Sequence, residues 1–224
     1  MTNLKVLFKI SHLFLKNLFL WLPFVYKNLD RSPPLNPKSN SCDTRVQGLR
    51  LHIGCGSVNL QGWVNIDARD QEHIHLVTDK IDLAGFSDNS IEEIYISHFL
   101  EHFSFVESNK LLRLFASKLT STGKLRISVP DFDKLILTYN ANGSDLDLIK
   151  FAVMGGQDYP YNFHKSLYNH KTLSALLLSS GFSHVVDWIP NDFFNSPAPD
   201  YSDCHLGYRF KRKYPISLNL IAFI

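Results

Sequence analysis

The 224-residue sequence has little cysteine, and the cysteines that it has do not form pairs. Cys42, Cys55 and Cys204 are an odd number and lie far apart, with no CxxC motif and no spacing typical of zinc ligands. This pattern argues against a disulfide-stabilised secreted fold and against a structural zinc site. We therefore expect a reducing, cytoplasmic setting.

An excess of charge of either sign is also missing. The chain carries 23 basic and 21 acidic side chains, which gives a formal net charge of +2. A protein this close to balance has no broad positive field for holding nucleic acid, so we expect no nucleic-acid partner. With 45% hydrophobic and 20% charged residues, the chain has enough apolar mass for one sizeable core, which excludes a disordered polymer.

The basic residues are concentrated at the amino terminus. Residues 4–22 contain no acid, are mostly apolar, and stop before Pro23. On a helical wheel the basic positions fall on one stripe, namely Lys5, Lys9, His12 and Lys16. We predict that residues 1–28 form a basic amphipathic helix lying on an anionic membrane, at the inner surface of the cell. Packing on the folded domain and a membrane span are the alternatives.

Residues 29–47 are rich in Pro, Ser and Asn and are predicted to be a linker, so the folded domain should span residues 48–224. Within it, apolar runs typical of strands alternate with segments of helical spacing. We predict strands at 50–54, 62–67, 90–97, 123–129, 183–189 and 216–224, and helices at 105–119, 132–139 and 171–180. This alternation predicts an α/β fold whose sheet is mostly parallel and covered by helices.

The connection after the first strand is unusually short. About eight residues separate Gly54 from the second strand, whereas a parallel crossover with a full helix needs about a dozen or more. We therefore expect the first crossover helix to be vestigial, with another part of the chain or a partner covering that face. The longer segments 140–165 and 191–215 are expected to be loops that choose the substrate.

A glycine turn and an acid end the first two predicted strands. Gly54 and Gly56 flank Cys55, and the missing side chains would let a ligand approach the backbone closely. Asp67 ends the second strand with a carboxylate suited to two ribose hydroxyls. Asn59 stands where a GxGxxG dinucleotide motif needs its third glycine, so NAD is disfavoured. The pattern indicates a nucleoside site of another kind.

Four motifs in consistent order, LHIGCG, GWVNID, DNSIEEIYISHFLEH and LRISVPD, resemble the small class I S-adenosylmethionine-dependent methyltransferases. The resemblance spans roughly residues 48–224. It implies a doubly wound sheet of seven strands whose last strand is antiparallel, with S-adenosylmethionine as cofactor. The implied reaction is methyl transfer to a small-molecule, glycan or lipid-linked acceptor, whose identity the motifs do not specify.

The same resemblance implies roles for individual residues. The turn of Gly54, Cys55 and Gly56 would hold the methionine part of the cofactor, and Asp67 would bind the ribose. An acid after the third strand would bind the adenine, which maps to Asp79, with Asp82 as the alternative. The residues that would border the amino-acid part are Ser97 and His98.

The run HFLEH, residues 98–102, also matches the HxxEH signature of zinc peptidases. In those enzymes the motif lies in a helix, whereas here it directly follows an apolar strand, where parallel sheets place ligand-binding loops. We therefore expect no metal. A zinc hydrolase using His98, Glu101 and His102 is one alternative function, and a non-catalytic, membrane-associated cofactor-binding module is the other.

Three residues are the candidates for catalysis. Imidazole titrates near neutral pH, so His102 is predicted to be the general base that deprotonates the acceptor. Asp131, after the LRISVP strand, and His164, in a Tyr- and His-rich loop, are predicted to orient that base or the acceptor. The ordinary alternatives are a surface or capping histidine at 102, a helix cap at Asp131 and a structural loop histidine at 164.

Overall fold

The computed structural model describes residues 48–194, 197–206 and 214–224. The predicted amino-terminal helix (1–28) and linker (29–47) lie outside these residues. None of the helices in the described ranges is both long enough and apolar enough to cross a bilayer.

A seven-stranded sheet forms the centre of the described domain. Its strands are β1 (Leu49–Ile53), β2 (Val64–Asp67), β3 (Leu76–Val77), β4 (Ile91–Ser97), β5 (Leu119–Pro130), β6 (His184–Asp187) and β9 (Ser217–Phe223). A separate antiparallel pair consists of β7 (His205–Leu206) and β8 (Tyr214–Pro215). The order in the large sheet is β3-β2-β1-β4-β5-β9-β6.

The strand directions confirm the predicted fold. Strands β1 to β5 pair in parallel, and β9 pairs antiparallel with both β5 and β6. The central register places Ile53 of β1 between Ile66 of β2 and Ile96 of β4. The carboxyl ends of the first five strands therefore share one edge of a doubly wound sheet. The strand order reverses between β1 and β4, where such folds bind ligands.

Five α-helices connect or flank the strands in the described ranges: α1 (Phe105–Lys118), α2 (Phe132–Ala141), α3 (Leu146–Met154), α4 (His170–Ser179) and α5 (Pro190–Phe194). Polar caps fix where α1 and α4 begin, because Ser104 and Asn169 each form a reciprocal capping box. The prediction of loop across 140–165 was wrong in part. Asp145 caps α3 there by accepting a hydrogen bond from the Asp147 N–H at 3.0 Å.

The first crossover is vestigial, as its length predicted, and residues 54–63 contain turns but no helix. Because the β1–β2 and β4–β5 connections run in opposite directions, right-handed crossovers place them on opposite faces of the sheet. Helix α1 packs on the main core, which includes Ile94 and Ile96. Tyr95 points to the other face, where an aromatic cluster of Trp63, Trp188, Phe193 and Phe194 covers it. The area that a crossover helix would occupy is thus covered by side chains from the short connection, the segment after β6 and α5.

Candidate active site

The glycine turn begins where β1 ends, at the carboxyl edge of the sheet. Gly54 has φ +67° and Gly56 has φ +56°, backbone angles that residues other than glycine rarely adopt. A Cβ on Gly54 would lie 2.3 Å from Cδ2 of Phe99, so a larger residue does not fit. The N–H of Gly54 donates to the Ile66 carbonyl at 2.8 Å, which fixes the turn against β2.

Asp67 contacts this turn directly. The Gly56 N–H donates to its Oδ2 at 2.8 Å, and its Oδ1 accepts from the Arg69 N–H at 2.9 Å and from Arg69 Nε at 3.1 Å. Asp67 is only 7% exposed, and burial alone would oppose its ionisation. The hydrogen bonds from Arg69 and Gly56 outweigh that effect and hold the pKa of Asp67 below its usual value. The site therefore contains an anion fixed beside the glycine turn.

Arg69 and the segment 155–162 cover the outer side of this anion. The Arg69 guanidinium lies 5.8 Å from the ring centre of Tyr159, and the Tyr161 hydroxyl donates to Oδ2 of Asp79 at 3.4 Å. The Arg69 side chain is 47% exposed, so the outer side of this ion pair faces solvent.

The two candidates for adenine recognition, Asp79 and Asp82, lie together after β3. Both are exposed, and both line a cleft of about 500 Å³ between their segment and α1. Phe103, Leu111 and Leu114 supply an apolar wall to the same cleft. The structure thus places a partly apolar cleft beside both acids and does not choose between them.

Cys55 lies in the turn and His98 follows β4, and both side chains are largely enclosed by protein. Burial raises the pKa of the Cys55 thiol to about 12, which keeps it neutral. His98 has φ +49°, and its Nε2 lies 2.9 Å from Oγ of Ser217. Because the Ser217 hydroxyl donates to the Tyr201 carbonyl, His98 must donate through Nε2. Burial lowers the pKa of His98 to about 3, so this histidine is a neutral link between β4 and β9.

The HFLEH run does not form the helix of a zinc peptidase. Leu100–His102 is a single turn of 3₁₀ helix, and the left-handed backbone at His98 separates it from β4. His98 and His102 therefore do not lie one above the other on a long helix, which is the arrangement that the peptidase signature requires.

His102 and His164 come together although 62 positions separate them in the sequence. Their ring centres lie 4.9 Å apart. The contact depends on the main chain of Glu101, whose carbonyl accepts hydrogen bonds from the N–H groups of Lys165 at 2.8 Å and Ser166 at 3.2 Å. These bonds align the segment that carries His164 with the turn that carries His102. The structure thus brings together two of the three predicted catalytic residues.

Glu101 lies next to His102 in the sequence and was predicted only as a residue of the alternative zinc hydrolase. It is 1% exposed, and its Oε1 lies 3.5 Å from Nδ1 of His98 and 4.0 Å from Nε2 of His164. Burial raises the pKa of Glu101 to about 8 and lowers that of His164 to about 4, and it also lowers the pKa of His102. Burial thus disfavours the charged form of all three groups. The only sequence signal for Glu101 was its place in the HxxEH pattern.

Asp131, the third predicted catalytic residue, serves as a helix cap. Its Oδ1 accepts from the Asp133 N–H at 3.1 Å at the start of α2, and its Oδ2 lies 3.5 Å from Nζ of Lys134. Its carboxylate is buried. In the described part of the chain, no hydrogen bond or ion pair joins Asp131 to either histidine. Ser97, the remaining predicted residue, ends β4 with a buried hydroxyl.

Comparisons with known proteins add a likeness of fold. No protein-family model matches the sequence, and no curated protein is a significant relative. A SAM-dependent methyltransferase from Archaeoglobus fulgidus is 17% identical over 79% of this chain and 86% of its own, with a TM-score of 0.48. One from Methanosarcina mazei is 14% identical over 80% and 94%, with a TM-score of 0.46.

A third similar structure is the 1,6-didemethyltoxoflavin-N1-methyltransferase of Burkholderia thailandensis, solved with S-adenosylhomocysteine. It is 12% identical over 79% of this chain and 70% of its own, with a TM-score of 0.47. Similarity at these levels concerns the arrangement of strands and helices and does not identify an activity.

Proposed function

We propose that this protein is an S-adenosylmethionine-dependent methyltransferase. The observation that carries the proposal is the contact between the Gly54–Gly56 turn and the ionised Asp67 carboxylate. This pair lies at the carboxyl ends of β1 and β2, next to the point where the strand order reverses. In doubly wound sheets that crevice is where nucleotide-like ligands bind. A close backbone approach beside a fixed carboxylate suits a ribose carrying a small charged group.

The residues present fit the parts of that cofactor. The main chain of Gly54, Cys55 and Gly56 would hold the methionine part, together with Ser97 and the main chain of His98 at the end of β4. The Asp67 carboxylate would accept hydrogen bonds from the ribose after Arg69 moves outward. The adenine would occupy the cleft beside α1, with its amino group donating to Asp79 or Asp82.

The chemistry that S-adenosylmethionine supplies when bound is a methyl group made electrophilic by a positively charged sulfur. The acceptor then needs to be positioned and, if its attacking atom is a hydroxyl, deprotonated; positioning alone is worth up to about 7 to 11 kcal/mol. His102 is the proposed base, because it is partly exposed and its Nδ1 is already used to donate to the Phe163 carbonyl at 3.2 Å. His164 would orient the acceptor, whereas Asp131 contributes by fixing the start of α2.

The acceptor is proposed to be a small molecule, a glycan or a lipid-linked precursor. The basis is the predicted membrane-binding segment, residues 1–28, which would hold the domain at the inner membrane surface. The segment lies outside the described residues, so this part of the proposal depends on the sequence alone. No nucleic-acid partner is proposed.

Calorimetry on the full chain tests cofactor binding. We expect S-adenosylhomocysteine to bind and NAD not to bind. A chain that binds no S-adenosyl compound at millimolar concentration is not a methyltransferase. If S-adenosylmethionine binds, incubation with fractions of a cell extract should release S-adenosylhomocysteine. Binding without turnover in any fraction would instead support the non-catalytic module.

A further inference from the structure

The side chain of Glu101 lacks the partners that a buried carboxyl group normally has. It is 1% exposed, and neither carboxyl oxygen has a hydrogen bond within the described residues. Buried polar groups are almost always satisfied, because leaving one without a partner costs about 1 to 3 kcal/mol. A buried carboxyl group without a hydrogen bond, whose Oε1 lies 4.0 Å from Nε2 of His164, is a candidate ligand for an ion.

The rings of His102 and His164 are oriented as those of metal ligands would be. Nδ1 of His102 lies 3.2 Å from the Phe163 carbonyl, and Nδ1 of His164 lies 3.0 Å from the Ala152 carbonyl. A carbonyl only accepts hydrogen bonds, so in both rings the proton is on Nδ1 and the lone pair is on Nε2. Metal-binding histidines characteristically donate their second nitrogen to such a carbonyl, which fixes the tautomer and the ring orientation.

The three groups also lie close enough to share one ion. One ligand atom from each of Glu101, His102 and His164 lies within 4.8 Å of the others. Ligands around one tetrahedral zinc ion, with bonds of about 2.0 to 2.2 Å, are separated by about 3.5 Å. Side-chain movements of about 1 Å would therefore close the cluster around an ion, and partly exposed His102 gives the ion access from solvent.

We propose that Glu101, His102 and His164 bind one divalent transition-metal ion, with zinc the best match to the donor set. Two imidazole nitrogens and one carboxylate are typical of sites that hold zinc and leave a coordination position open. This proposal departs from the expectation of no metal, and its ligand set differs from the peptidase signature because His164 replaces His98.

Metal binding by itself does not depend on the proposed methyl transfer. If that function is also correct, the open position would face the acceptor, and His102 would act as a ligand instead of a free base. The two proposals fail separately, since S-adenosylhomocysteine binding tests Asp67 and zinc binding tests Glu101, His102 and His164.

The test uses the purified full chain, treated with EDTA and then freed of the chelator. Calorimetry with zinc should show one ion per chain, and zinc should raise the thermal midpoint of unfolding. Cobalt, used as a spectroscopic substitute, should give visible absorption bands of a site with nitrogen and oxygen ligands. Absence of stoichiometric zinc and cobalt binding by the wild-type chain would overturn the proposal.

Substitutions identify the ligands. Loss of an outer-shell partner weakens metal binding roughly 10- to 100-fold. Loss of a direct ligand should weaken zinc binding at least as much, and we expect this for each of the variants His164→Gln, His102→Gln and Glu101→Gln. The exposed His184→Gln is a matched control that should keep wild-type zinc affinity. If Glu101→Gln fails to fold, the accessible His102→Gln variant and the cobalt spectrum still decide. Zinc binding that survives His164→Gln, or that disappears with His184→Gln, would show that this ligand set is wrong.

Discussion

The main-chain N–H of Gly56 donates a 2.8 Å hydrogen bond to Oδ2 of Asp67, across eleven residues of sequence. The bond forms because β1 and β2 pair in parallel without an intervening helix, with Ile53 opposite Ile66. It joins the ends of two strands and also stabilises the ionised carboxylate. Asp67 therefore supports the turn and, in the proposed function, binds the ribose.

Asp67→Ala should weaken S-adenosylhomocysteine binding by about 1.5 to 3 kcal/mol, roughly 10- to 150-fold, because charged hydrogen bonds to the ribose are lost. Arg69→Ala should leave binding equal or tighter, because it frees the same carboxylate. Asp70→Ala removes a neighbouring exposed acid and should have no effect. Calorimetry measures all three. Equal affinity of folded Asp67→Ala and wild-type protein would contradict the assignment of the ribose site.

Gly54→Ala should destabilise the domain more than Gly143→Ala. Both glycines have left-handed backbone, with φ +67° and +71°, so alanine costs about 1 to 2 kcal/mol at either position. The added Cβ meets Phe99 at 2.3 Å at Gly54 but nothing within 4 Å at Gly143. The clash should add about 1 to 3 kcal/mol, measured by urea unfolding. Equal losses of stability in the two variants would mean that Phe99 moves away without cost.

Much of the fold could be predicted from the sequence. Parallel strands that are buried on both faces appear as short apolar runs, and in this chain acids or glycines end them. Strand β4 and the positions of the glycine turn and Asp67 at the ends of β1 and β2 follow from that pattern. The strand limits were less accurate. Strand β5 begins at Leu119 instead of 123, because Leu119 pairs with Ile91 across an irregular register that no local pattern indicates.

The acceptor side of the site was less predictable, since it depends on contacts between distant loops. His102 meets His164 only because the Glu101 carbonyl accepts hydrogen bonds from residues 165 and 166. Loop segments have no hydrophobic period, so the sequence suggested the two histidines but not their contact. The ion pair between Arg69 and Asp67 likewise depends on where the two side chains lie in the folded domain.

The amino-terminal segment should bind anionic vesicles through its lysines. Each cation near an anionic leaflet contributes about 1 kcal/mol, so replacing Lys5, Lys9 and Lys16 with Gln should weaken binding roughly 100-fold. The matched control replaces three exposed lysines of the folded domain with Gln: Lys110, Lys150 and Lys171. Co-sedimentation of the full chain with phosphatidylglycerol vesicles measures both. The prediction is wrong if wild-type protein does not sediment with these vesicles, or if both variants lose binding equally.

His52 should make the free energy of unfolding depend on pH. It is 1% exposed, stacks on Tyr95 with ring centres 5.1 Å apart, and its Nδ1 lies 3.3 Å from Oδ1 of Asn65. Burial lowers its pKa to about 4, although nearby Asp200 and Asp67 partly oppose this effect and His73 adds to it. In the unfolded chain His52 takes up a proton below its ordinary pKa of about 6.5. In the folded protein it takes up that proton only near pH 4.

Stability from His52 is thus fully present above about pH 6.5, falls as the pH drops towards 4, and is constant below that value. Between about pH 7.5 and pH 5 the loss should be about 2 kcal/mol. Urea unfolding of wild type and His52→Gln at both pH values isolates this contribution, because Gln does not titrate while other buried groups are unchanged. The wild type should lose about 2 kcal/mol more than the variant. Parallel losses in the two proteins would mean that His52 is protonated as easily in the folded domain as in the unfolded chain.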